Sequence, residues 1–138
     1  MSTATWSLQA ALYTALTGDT GLMALLAHPT GFAGVYARLA KAGAPLDYIV
    51  LGSSQETDND TFGRPGKVGT EILHLWSTDI AKAKAIYAAC ERLLNRPRLT
   101  LAGHTMVRGR LEYLTDQTDP DGSAVQVVAR YRAETAEG

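Results

Sequence analysis

The C-terminal part of the chain constrains the fold most strongly. Two runs of alternating residue character flank Asp119-Pro120-Asp121-Gly122. In the first run Val107, Leu111 and Tyr113 fall on one side, and Arg108, Arg110 and Glu112 on the other. In the second, Val125, Val127, Ala129 and Tyr131 oppose Gln126, Arg130 and Arg132. A period of two residues belongs to strands with one apolar and one polar face. Between the runs, proline pre-sets a turn φ, glycine tolerates a positive one, and aspartate hydrogen-bonds its local backbone. The sequence therefore predicts an antiparallel hairpin that carries Arg108, Arg110, Arg130 and Arg132 on one exposed face, with Glu112 as a cross-strand partner.

Helical periodicity sets the rest. Trp6, Leu8, Leu12, Ala15 and Leu16 form the apolar face of an opening helix that Thr5 can cap and Gly18 ends. Asp19 can cap a second short helix carrying Leu22, Met23, Leu25 and Leu26, which stops before Pro29. Thr30 to Pro45 reads as a loop with a short strand around Val35 to Ala37, and Asp47 to Ser54 as a buried strand. Gln55 to Lys67 is polar, with two glycines and a proline, and predicts a long exposed loop. From Val68 to Ser77, Val68, Thr70, Ile72, His74 and Trp76 alternate with Glu71, Leu73 and Leu75. The clearest helix spans about Asp79 to Asn95, with Ser77 or Thr78 available as a cap and Pro97 beyond its end. Glu134 to Gly138 reads as frayed. The sum is an α+β fold in one domain, residues 1–138: a mostly antiparallel sheet, helices packed on one face, and a terminal β-hairpin.

Composition excludes several functions. Thirteen basic against fourteen acidic residues leave a net charge of -1, without the overall excess of positive charge that marks a nucleic-acid binder. Cys90 is the sole cysteine, so an intrachain disulfide is impossible and a reducing cytoplasm suits the chain. No apolar run reaches the roughly 18 residues of a membrane span, and the N-terminus lacks the positive region of a secretory signal.

Motifs for chemistry fail on their spacing. His28, His74 and His104 form no metal-ligating pair, and Cys90 shares an apolar helix face with Ala83, Tyr87 and Leu94, the setting of an inert thiol. Asp58 to Gly63 opens like a calcium loop, but Phe62 and Gly69 stand where the fifth and twelfth positions need oxygen ligands. No phosphate loop follows either glycine-rich turn, and Ser53-Ser54 lacks a nucleophile elbow. Asp119 and Asp121 are accounted for by turn formation. The chain reads as a non-enzyme with no cofactor and no metal.

The order of segments resembles a known family. L-Q-A-A-L-Y-T-A-L (Leu8 to Leu16), G-L-M-A-L-L-A, A-P-L-D-Y-I-V-L-G (Ala44 to Gly52), H-L-W-S (His74 to Ser77), an alanine-rich helix, L-T-L-A-G-H (Leu99 to His104) and D-P-D-G follow one another. That series is similar to the phage tail completion, or tail terminator, proteins of siphophages, prophages and gene transfer agents. The resemblance runs from about Leu8 to Arg132. It implies a homo-hexameric ring on the head-proximal end of the tail tube, with the tube protein and the head-tail connector as partners. It also implies DNA passing through the lumen without sequence-specific binding, and assembly in the bacterial host cytoplasm into the virion tail.

In such a ring the arginine face has two readings besides a solvated surface, a lumen lining and a subunit contact. The Gln55 to Lys67 segment is expected to be mobile in the free subunit and ordered on assembly, with Phe62 and Arg64 as its anchors. A neck or head-tail adaptor protein shares this architecture and stands as the alternative, ahead of a small binding module of the host.

Overall fold

Among the described residues eight elements carry the pattern: α1 (Ala4–Thr17), α2 (Thr20–Met23), β1 (Val35–Ala37), β2 (Tyr48–Asp58), β3 (Gly66–Ser77), α3 (Ile80–Leu94), β4 (His104–Thr118) and β5 (Val125–Glu137). The computed structural model describes residues 4–58, 66–95, 104–120 and 122–137. One five-stranded sheet in the order β1-β2-β3-β5-β4 joins all strands. Among the described residues only β1 runs parallel to its neighbour; the other pairings are antiparallel. This is the α+β fold that the alternating and helical segments predict.

The core lies between the helices and one sheet face. Leu8, Leu12 and Leu16 project from α1 at helical spacing, and Ala83, Ile86, Ala89, Cys90 and Leu94 from α3. They meet Ile49 and Leu51 of β2, Leu73 and Leu75 of β3, Leu111 of β4, and Val127, Ala129, Tyr131 and Ala133 of β5. Cys90 is fully buried there, and loss of solvation pushes its thiol up to about 12. Ile80, in the first turn of α3, is 38% exposed and lies outside that core.

Several boundaries move for physical reasons. Asp79, not Ser77 or Thr78, caps α3: its side chain accepts from the Lys82 N–H, while Ser77 still pairs with Val125 in the sheet. Asp19 caps α2 by accepting from Leu22, as the sequence predicts. Helix α1 begins at Ala4, which places Thr5 inside the first turn instead of before it.

The expected loop from Gln55 to Lys67 is strand at both ends. Gln55↔Thr70 through Asp58↔Lys67 continue the β2–β3 ladder, because backbone pairing does not depend on polar composition. The expected fraying from Glu134 onward is likewise replaced by strand: β5 has a neighbour on each side, with Ala136 paired to Gly66 and to Thr105.

Two buried carboxylates tie the layers together. Asp47 accepts from the Thr78 N–H at 3.1 Å and pairs with Lys82 at 3.1 Å, joining the start of β2 to the β3–α3 corner. Glu71 points from β3 into the helix side, with no solvent exposure. Gln9 of α1 donates to its Oε1 at 2.8 Å and the Ser54 hydroxyl donates to its Oε2. Burial pushes the Glu71 carboxyl above the usual range, against those two hydrogen bonds and the nearby Arg38 charge, which pull it down.

Candidate interaction face

The helices leave the other side of the sheet open, and the cross-strand register sorts it into rows. Gln55, Thr70, Arg132 and Arg110 form one row; Thr57, Val68 and Glu134 the next. On the other side of the first row lie Ile72, Arg130 and Glu112, followed by Val50, His74 and Val128, then Tyr48, Trp76 and Gln126. Charge therefore concentrates at the β4–β5 end, and aromatic surface at the opposite corner.

In the charged region Arg130 donates to Glu112 at 3.2 Å, the cross-strand pair that the alternation predicts. Arg110 and Arg132 stand directly opposite each other, both exposed, a like-charge pairing that costs the sheet stability. With Glu112 and Glu134 they line a cavity of about 170 Å³. The register puts Arg108 opposite Glu134. Three of the four singled-out arginines, Arg110, Arg130 and Arg132, thus come together on one uncovered face. Phe62 and Arg64 lie outside the described residues.

At the aromatic corner Tyr36 meets Tyr48 edge-on, with ring centroids 5.8 Å apart, and Tyr48 lies 6.5 Å from Trp76. His74 and Gln126 hydrogen-bond beside them. Tyr48 and Trp76, together with Arg38 and Leu39, border a hollow of about 330 Å³. The alternation in β3 already puts His74 and Trp76 on one side, but it does not reveal the approach of Arg38 and Leu39 from beyond β1.

This arrangement offers charged and aromatic surface for contact. Among the described residues no group of three or more His, Cys, Asp or Glu could hold a metal ion. Among them, too, no helix is long and apolar enough to cross a membrane.

Comparison with known proteins agrees with the fold. Over its full length the chain superposes on a protein of the same length coverage from the virion of a native gene transfer agent particle, with a TM-score of 0.79 and 25% sequence identity. It also matches the gp17 protein of bacteriophage SPP1, with a TM-score of 0.62 and 23% identity, covering 94% of this chain and 89% of that one. A search of curated protein sequences returns no match. The family model of tail completion protein gp17 matches residues 10–136. The chain thus belongs to the gp17 family of phage tail completion proteins, a family of structural virion components.

Proposed function

We propose that this protein is the subunit of a homo-hexameric ring that caps the head-proximal end of a phage tail tube. The ring ends tube polymerisation and presents the surface to which the head-tail connector docks, and DNA crosses its lumen without sequence-specific contacts. Family membership over residues 10–136 is the observation that carries this reading. The architecture supports it: one face of the sheet is sealed by α1 and α3, and the other is left open with charged and aromatic regions available to neighbours. Arg110, Arg130 and Arg132, with Arg108 in register beside them, serve as a lumen lining or subunit contact in this assembly, and Phe62 and Arg64 as anchors of the β2–β3 connection against it. Assembly takes place in the bacterial cytoplasm, and the finished protein resides in the tail.

The test is microscopy of purified tail tubes with and without the protein. Rings at one tube end, and overlong, headless tubes when the gene is deleted, are expected. Tubes of normal length in the deletion would overturn the terminating role. Recovery of the protein on head connectors without tubes would assign it to the neck instead.

A further inference from the structure

Each edge of the sheet displays an exposed leucine beside a local backbone irregularity. At the β1 edge, Arg38 adopts a positive φ of 69°, a conformation that non-glycine residues rarely keep without a use for it. The following residue, Leu39, is 82% exposed at the rim of the aromatic hollow. At the β4 edge the register slips between Tyr113 and Thr115, so Leu114 is the unpaired residue of a β-bulge and is 42% exposed. Bulges re-aim side chains in this way.

The surroundings of the two leucines are complementary. Arg38 is exposed beside the hollow, and Tyr48 and Trp76 supply the side-chain types that dominate tight contacts. Asp116 is exposed beside Leu114, held by the Tyr113 hydroxyl that donates to its carboxylate. A projecting apolar residue flanked by an acid thus sits at one edge, and a largely apolar, aromatic-lined hollow flanked by a base at the other. Because β1 and β4 are opposite edges of one sheet, a chain cannot fill its own hollow.

The geometry points to head-to-tail docking between copies of this chain, with Leu114 of one copy entering the hollow at Leu39, Tyr48 and Trp76 of the next, and Asp116 pairing with Arg38. Such an interface joins two different patches and can close into a ring. A symmetric meeting of two β4 edges centred on Leu114 is disfavoured, since it would set Glu112 of each copy opposite Asp116 of the other, and the two bulges of β4 break a straight strand edge. The inference rests on the ring reading above and specifies its contact.

Leu39→Cys and Leu114→Cys, singly and together, test it under mild oxidation in the presence of tail tubes, with buried Cys90 silent. The double variant should yield a ladder of disulfide-linked species up to the closed ring. A mixture of the two single variants should stop at linked dimers, and each single variant alone should stay unlinked. Linked dimers of Leu114→Cys alone would overturn the head-to-tail contact in favour of a symmetric one. Rings seen by microscopy without links in the double variant would overturn this contact while leaving the ring intact; tubes bearing no rings even with the parent protein would instead overturn the ring. As an independent arm, Arg38→Glu and Asp116→Arg should each abolish rings, and the combined exchange should restore them. Rings that persist in both single variants would exclude the ion pair.

Discussion

The backbone N–H of Leu111 donates to the side-chain Oδ1 of Asn95 at 2.8 Å. Leu111 lies in β4, the sheet edge, and Asn95 is the residue that ends α3. An edge strand presents unpaired donors that other strands can capture, and this side chain occupies one of them while anchoring the helix end to the sheet. Asn95→Ala leaves that part-buried donor without its partner, so a loss of about 1–3 kcal/mol is expected in denaturant unfolding. Faster hydrogen exchange at Leu111 should accompany it, and Asn95→Asp, which keeps the acceptor, should retain most of the protection. Unchanged exchange at Leu111 in Asn95→Ala would remove the role.

Asp47 makes a second such junction, accepting from Thr78 and pairing with Lys82 while its own carbonyl accepts from the Ala27 N–H at 2.7 Å. Because the carboxylate is buried whereas Lys82 is largely exposed, the two residues are not equivalent. Asp47→Ala strips a buried acceptor from the β3–α3 corner and should cost about 2 kcal/mol or more. Lys82→Ala leaves the Thr78 hydrogen bond in place and should cost clearly less. Equal melting shifts for the two variants would contradict this division.

The contrast between these residues and the terminal hairpin explains how far the sequence could be read. Val125, Val127, Ala129 and Tyr131 announce their burial through their own alternation, which is a local property. Asp47 and Glu71 do not: each is polar, and burial follows from partners far along the chain, Lys82 and Gln9 respectively. Ser77 and Thr78 were the cap candidates for α3, but Ser77 is held in the β3–β5 ladder and the next polar residue, Asp79, takes the role. Polar composition also misled at Gln55 to Asp58, where pairing with β3 outweighs weak strand propensity. The arginine face was legible because alternation dictates it, whereas the hollow required the fold to bring Arg38 and Leu39 against β2 and β3.

Glu71 should give stability an uncommon dependence on pH. Its folded pKa is raised, chiefly by burial, so the native state holds this proton more tightly than the unfolded chain. The contribution is present in full below the unfolded pKa and is lost as pH rises through the folded one, the reverse of a salt-bridged carboxylate. Glu71→Gln stays neutral and keeps groups for Gln9 and Ser54 to bond. The melting temperature of this variant relative to the parent should therefore rise as the pH climbs from the ordinary carboxylate range through the raised folded-state value. A constant difference over that range would show that Glu71 ionises normally.

On the open face, two arginine substitutions should move stability in opposite directions. Arg130 donates to Glu112 across the hairpin, but both side chains are over a third exposed, so Arg130→Gln should cost under about 1 kcal/mol. Arg110 faces Arg132 in register, and like charges in that relation destabilise a sheet. Arg110→Gln should therefore be neutral or raise stability by a few tenths of a kcal/mol, roughly the scale of one cross-strand pair. A sheet that tolerates this repulsion gains by meeting an anionic group from outside, whether a neighbour's carboxylate or a phosphate. Tail completion or infectivity should accordingly fall in Arg110→Gln although its melting is unimpaired, and the fall should be deeper in Arg110→Glu. Full infectivity in both variants would return Arg110 and Arg132 to the role of a solvated surface. A melting temperature that drops well below that of Arg130→Gln would instead mean that Arg110 stabilises the fold through a contact of its own.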